Sequence, residues 1–363
     1  MIHIILGTKA QLIKMAPVMV ALNAQGIPYR FISTGQHRDT MNEILQNFDL
    51  RGPDYTLYNG KDITSIISMA IWAGRILLTT LYKKREIFGE QLKGIVLVHG
   101  DTFSTLLGAL MGKLARLPVG HIESGLRSFN WFHPFPEELT RILVFRLSNH
   151  YFCPDQNAVE NLSGYRGTKT NTGANTLLDA LRLAEKNIDN SEVDIPQQAY
   201  AVVSLHRFEN IRNEEALKRV VELVEQVAQQ NIKLLFILHK PTEKKLRKFG
   251  LFERLTENPN IELRQRYDYF KFIKLIKHSE FVVSDGGSNQ EECAYLGKPT
   301  LLLRKATERQ EGLGANCIIS EYNPDTVSAF CDDYKDLAEA PLSSQLYPSE
   351  LIVSELQRAL AEI

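Results

Sequence analysis

Three acidic residues stand where an α/β chain does its chemistry. Asp101 closes the apolar run 96–98 in Val-His-Gly-Asp-Thr, and Glu123 follows the run 118–121 in His-Ile-Glu-Ser-Gly. Glu137 comes fourteen residues later, in Pro136-Glu137-Glu138. The carboxyl ends of parallel strands, and the helix starts beyond them, are where ligands bind in such folds. Carboxylates in unlike surroundings separate their pKa values and divide acid work from base work. The same set would hold a metal ion, and Asp101 and Glu137 taken singly suit helix starts. His206, in Leu205-His206-Arg207 after another apolar run, is placed as a proton carrier or a phosphate donor; structural packing is the competing reading. His99 and His121 adjoin the acids and could support them. His3, His150 and His278 read as incidental.

Two loops are candidates for holding phosphate. Gly7-Thr8-Lys9-Ala10-Gln11 lies at the first strand-to-helix turn, where backbone N–H groups favour anions and Lys9 and Lys14 add charge. It matches neither the dinucleotide fingerprint nor the Walker loop, and a plain tight turn with solvated lysines explains it equally. The second loop is Ser284-Asp285-Gly286-Gly287-Ser288-Asn289-Gln290-Glu291-Glu292, again between an apolar run and a helix. Gly286, Gly287 and Ser288 are small enough for phosphate to approach the backbone. Glu292 could accept hydrogen bonds from a ribose, and Arg309 could neutralise a phosphate.

These residues need a scaffold of alternating strands and helices. In the first half, strands are expected at 3–6, 28–33, 94–98, 118–121 and 150–153. Helices are expected at 11–23, 41–48, 63–88, 104–115, 137–147 and 158–162, with 50–61 as loop. A polar joint at 170–175, a helix at 176–184 and a linker at 187–198 follow. The second half repeats the alternation, with strands at 199–204, 232–238, 261–263, 281–284 and 300–303. Its helices are expected at 213–229, 242–252, 269–277, 290–296, 324–334 and 349–361. The pattern predicts an α/β protein of two Rossmann-like domains, 1–172 and 173–346, whose parallel sheets face a central cleft. A C-terminal helix at about 347–363 packs back on the first domain.

At 363 residues, 44% hydrophobic and 23% charged, the chain has the composition of a globular protein with ample core. A net charge of −1 provides no bulk field toward nucleic acid or an acidic membrane. The four scattered cysteines form neither a disulfide framework nor a zinc pattern. Arg75 interrupts the most apolar stretch, 63–82, which reads as an amphipathic or buried helix rather than a membrane span. A chain that enters a strand at once points to the cytoplasm.

Taken in order, GT…IKMAPV, TGQHRD, VHGDT, PVGHIESGLRS, FPEE..R, LHR.EN, QEE…LGKP and TER resemble the non-hydrolysing UDP-N-acetylglucosamine 2-epimerase family over nearly the whole chain. The resemblance implies a GT-B-like fold, a homodimer, and interconversion of UDP-GlcNAc and UDP-ManNAc with no metal or cofactor. The route it implies is elimination of UDP to 2-acetamidoglucal and re-addition. Asp101, Glu123, Glu137 and His206 match the family's catalytic acids and histidine, and Lys14 and Arg141 its other polar site residues. Glu292 and Arg309 match its UDP contacts, and Phe272 its uracil contact. Gln36, His37, Arg207 and His239 match positions where some bacterial members bind a second, activating UDP-GlcNAc; Asp39 stands where those members carry Gln. Other departures fall in the site. GTKAQ replaces GTRPE, so Lys9 stands for an arginine and loses its bidentate geometry. SDGGSNQEE replaces SDSGGIQEE, Thr140 replaces Asn, and Tyr267 replaces Gln. GLRSFN also resembles relatives acting on diacetamido-uronic or 6-deoxy UDP-sugars. A hydrolysing variant, a GT-B glycosyltransferase and a non-catalytic UDP-sugar-binding protein are the remaining alternatives; the joint presence of Asp101, Glu123 and Glu137 argues against the last two.

Overall fold

The computed structural model describes residues 1–36, 41–60, 63, 66–131, 136–188, 192–230, 232–307, 309–342 and 345–362. The chain forms two compact units, Met1–Leu183 with Ser344–Ile363, and Ala184–Ser343.

Unit 1 runs β1 (Ile2–Leu6), α1 (Lys9–Ala24), β2 (Tyr29–Ser33), α2 (Met41–Asn47), β3 (Tyr55–Thr56), α3 (Ile66–Phe88), β4 (Ile95–His99) and α4 (Phe103–Leu114). It continues with β5 (Val119–Ile122), α5 (Glu137–Leu147), β6 (His150–Cys153), α6 (Gln156–Asn161), β7 (Thr168–Asn171) and α7 (Leu177–Lys186), whose end passes into unit 2. The seven strands form one parallel sheet in the order β3-β2-β1-β4-β5-β6-β7. The central strands β1 and β4 are buried along their length and apolar except for His3 and His99, as strands covered on both faces are.

Unit 2 runs β8 (Tyr200–Ser204), α8 (Phe208–Ile211), α9 (Glu214–Ala228), β9 (Lys233–Leu238), α10 (Lys240–Lys248), α11 (Leu251–Glu257), β10 (Ile261–Gln265) and α12 (Tyr269–His278). It ends with β11 (Val282–Ser284), α13 (Gly287–Leu296), β12 (Thr300–Leu302), β13 (Cys317–Ile319) and α14 (Pro324–Asp333). The chain then returns to unit 1 as α15 (Pro348–Ala361), which packs on α1. The unit 2 sheet is parallel, in the order β10-β9-β8-β11-β12-β13. Helix α9 shows how the core is made. Asn213 caps its first turn, and Leu217, Val220, Val221, Val224 and Val227 recur at helical spacing and are buried with Phe236 and Phe281.

Both sheets reverse their winding between the first strand and the fourth: β1 and β4 in unit 1, β8 and β11 in unit 2. That topological switch point is where open α/β sheets bind ligands, beyond the strands' carboxyl ends.

The differences from the sequence reading are local. β3, β7 and β13 were not anticipated; each has two to four residues, and the exposed edge strand β7 is the polar run TKTN. The expected helix 242–252 breaks into α10 and α11 at Gly250, which takes φ 66°. The joint was set at 172–173, but the units part after Leu183. The start of α7 belongs with unit 1, since Asp179 accepts the Ser349 N–H at 2.8 Å. Among the described residues no helix is long and apolar enough to cross a membrane. All four cysteines are buried and outside any disulfide, and burial pushes the Cys153 and Cys317 thiols up to about 12.

Candidate active site

The unit 1 acids sit at the switch point and just beside it, each in different company. Asp101 lies two residues past β4 and is not the cap of α4; Thr102 is, accepting the Thr105 N–H. Asp101 instead takes two donors from Arg141 of α5 on one oxygen, Nε at 2.9 Å and Nη2 at 2.6 Å. Glu123 follows β5 with φ 60°, a strained conformation for a residue with a side chain. Its Oε1 accepts from Lys14 Nζ at 2.7 Å and from Asn175 Nδ2 at 2.7 Å, and its Oε2 faces His99 Nε2 at 3.7 Å. Glu137 opens α5, and its buried Oε2 has no hydrogen-bond partner among the described residues. The three acids therefore gather in one unit but are not equivalent: two are ion-paired and one carries an unpartnered oxygen.

Three further residues brace this arrangement. His121 Nε2–H donates to Gly100 O at 2.7 Å, and its Nδ1 accepts from Ser124 Oγ at 2.9 Å, which joins the ends of β4 and β5. Desolvation holds its pKa down at about 4, so the ring is neutral. Glu138, fully buried, binds Arg127 and the Ser128 N–H and lies 3.4 Å from Arg141 Nη1. Desolvation raises its pKa, but the Ser128 N–H, Arg127 and Arg141 outweigh that and leave it lowered. Gln11 closes a capping box with Thr8, and its Oε1 accepts the Gly7 and Thr8 N–H groups at 3.0 and 3.1 Å. Donors expected to meet an anion at this loop are thus occupied within it. Lys9 is buried and reaches Glu43 at 3.4 Å. Gln36 accepts from Ser104 Oγ at 2.7 Å. His37 lies outside the described residues.

The switch point of unit 2 gathers cationic side chains at a helix start. Gly286 precedes α13 and offers no side-chain cap to the helix's first N–H groups. A Cβ added at Gly287 would lie 3.1 Å from Arg309 Nε and 3.5 Å from Arg207 Nη2, so two guanidiniums flank the helix start. Arg309 also pairs with the buried Glu291 at 2.8 Å. Gln290 fixes its loop, donating to Arg309 O at 3.2 Å and Glu311 O at 2.9 Å while accepting from Thr307 Oγ1 at 2.7 Å. Ser288 is exposed in the same first turn. Glu292 lies one turn further on and accepts from Asn289 Nδ2 at 3.0 Å. Burial and Glu292 hold the Tyr269 hydroxyl well above its ordinary pKa. Phe272, three residues on from Tyr269, shares its face of α12. His206 and His239 stack with ring centroids 4.6 Å apart. Arg207 and Arg309 thus lie at the α13 start, and His239 lies against His206.

Asn175, Glu138, Arg127 and Gln290 were missed. Gln290, Glu138 and Arg127 stood in the quoted runs QEE, FPEE and GLRS; Asn175 carried no signal, since it acts through a contact 52 residues away in the chain.

Paired parallel-sheet α/β units with polar groups at both switch points place the molecule in the GT-B-like class. Within that class, the chain belongs to the UDP-N-acetylglucosamine 2-epimerase family, a family of isomerases whose model matches residues 20–345. It is 33% identical over 344 residues to the UDP-N-acetylglucosamine 2-epimerase of Methanocaldococcus jannaschii, covering 90% of each chain. The crystal structure of the Methanocaldococcus jannaschii UDP-GlcNAc 2-epimerase in complex with UDP-GlcNAc and UDP aligns with a TM-score of 0.80 at 29% identity, covering 98% of this chain and 99% of that one. The Neisseria meningitidis UDP-GlcNAc 2-epimerase bound to UDP-GlcNAc aligns with a TM-score of 0.81 at 27% identity, covering 98% and 99%.

Proposed function

We propose that the protein interconverts UDP-GlcNAc and UDP-ManNAc by eliminating UDP across carbons 1 and 2 and re-adding it with the opposite configuration at carbon 2. The observation that carries this reading is the inequality of the three acids. Among the described residues Glu137 has an oxygen with no competing donor, the condition of a group that must accept a weakly acidic carbon-bound proton. Glu137 takes the carbon-2 proton, the bond from carbon 1 to the diphosphate oxygen breaks with its electron pair, and UDP departs from 2-acetamidoglucal. UDP oxygen then bonds to carbon 1 while a proton reaches the other face of carbon 2. Glu137 gives its proton to solvent, and Asp101, more exposed than Glu123 (29% against 8%) and ion-paired to Arg141, takes a proton from solvent and passes it to that other face. Glu123, held by Lys14 and Asn175, fixes the local charge.

Charge on the departing diphosphate is met by Arg207, Arg309 and the α13 start. Glu292 binds the ribose and Phe272 stacks on the uracil. A homodimer is proposed through α3, where Ile71, Leu78, Leu81 and Tyr82 stand exposed. A second reading, a modified UDP-sugar as substrate, is favoured by the loop after Arg127, which exposes Phe129 and Trp131.

The test is incubation with UDP-GlcNAc in deuterated water, followed by NMR. Deuterium at carbon 2 together with UDP-ManNAc is expected; free ManNAc would mark hydrolysis, and no exchange would move the reading to a modified sugar or a transferase. Asp101→Asn, Glu123→Gln and Glu137→Gln should each lower exchange on the order of 10²-fold or more while UDP still binds. Exchange at the unaltered rate in these variants would overturn the assignment.

A further inference from the structure

Asp285 lies in the loop read for its glycines, Ser288 and Glu292, and its carboxylate accepts four hydrogen bonds. It follows β11 directly, and β11 pairs with β8 so that Ser284 lies opposite Ser204. That register sets Asp285 beside the residues leaving β8. The carboxylate is fully buried. It accepts the His206 N–H on both oxygens at 3.0 and 3.1 Å, and the Arg207 N–H and Asn210 Nδ2 on Oδ2, each at 3.0 Å. Asn210 is held in turn, donating to Leu303 O at 3.0 Å and accepting from Tyr322 Oη at 2.7 Å.

The same carboxylate lies 3.4 Å from His206 Nδ1. The ring is confined on other sides too. His239 stacks on one face at 4.6 Å, its own Nε2 3.1 Å from Ser204 Oγ. A Cβ at Gly286 would come within 2.8 Å of His206 Cε1, so only glycine leaves room for the ring there. With Nδ1 turned to Asp285 and Cε1 against Gly286, the exposed part of the side chain is the edge bearing Nε2. The backbone donors would by themselves hold the strand–helix turn; the ring nitrogen at 3.4 Å is a further contact that they do not explain.

We propose that Asp285 is a positioning residue for His206. It fixes the neutral imidazole as the Nδ1–H tautomer, turns the Nε2 lone pair outward, and stabilises the imidazolium when Nε2 gains a proton. The inference rests on the expectation, carried by the family resemblance, that His206 is the catalytic histidine, but its test does not depend on turnover. Full-length protein labelled with ¹⁵N-histidine is examined by long-range ¹H–¹⁵N correlation at neutral pH, with the His206 signals assigned by their loss in His206→Gln. A pyrrole-type Nδ1 and a pyridine-type Nε2 are expected. An Nε2–H tautomer in the unaltered protein would overturn the proposal, whatever any variant does. In Asp285→Asn that tautomer preference should be lost and kcat should fall on the order of 10²-fold with little change in KM. A folded Asp285→Asn protein with the original tautomer and kcat would also overturn it. If the tautomer result holds and no UDP-sugar is epimerised, the Asp285–His206 inference stands and the catalytic reading falls.

Discussion

Single side chains in this protein are set by what reaches them from far along the sequence. His206 is an example. Desolvation lowers its pKa from the ordinary histidine value, Arg207 and Arg266 push the same way, and Asp285 opposes them. The ring is therefore neutral at neutral pH. A diphosphate placed between Arg207 and Arg309 would add negative charge close to that ring, and opposite charge favours the protonated form. Titration of His206 by NMR should show its pKa rising when UDP is added; a pKa that stays or falls would place the diphosphate elsewhere. Glu123 shows the second kind of constraint. Its positive φ costs on the order of 1–3 kcal/mol, and Lys14 and Asn175 hold it in place.

At the scale of elements, the strand ends of unit 1 are tied by His121, and the tie depends on pH. An unfolded imidazole titrates near 6.5, whereas buried His121 titrates at about 4. Its contribution is whole above 6.5 and is lost as pH falls toward 4, because the unfolded chain then binds the proton first. The loss amounts to on the order of 3 kcal/mol. His3 of β1, also lowered to about 4 by burial, acts in the same direction. In His121→Gln, urea midpoints measured between pH 7 and pH 4.5 should change less than in the unaltered protein; an identical slope would mean that other groups govern the acid limb. The sequence made the strands and most helices legible because long apolar runs and capped amphipathic helices leave period and punctuation behind. It did not disclose β3, β7 and β13, which are too short or too polar to show an alternation. Acids at strand ends could be found from spacing alone. Their inequality could not, since it depends on Arg141, Lys14 and Asn175 arriving from other elements.

At the scale of the whole molecule, α3 presents Ile71, Leu78 and Tyr82 on one exposed stripe, with Leu81 beside them. If this face joins two copies, Leu78→Lys with Tyr82→Glu should convert a dimer to a monomer in light scattering, while UDP binding in unit 2 is retained. A dimer that survives both changes would place the interface elsewhere. The return of the chain to unit 1 has a different consequence, for synthesis on the ribosome. The helix that covers α1 is made only after the intervening 160 residues of unit 2. At about 5–20 residues per second, that is a wait of roughly ten to thirty seconds. The second unit to begin is therefore the first to be complete. A nascent chain halted before residue 345 would carry a finished unit 2 beside a unit 1 with α1 still uncovered, and that open face is where a chaperone would find it.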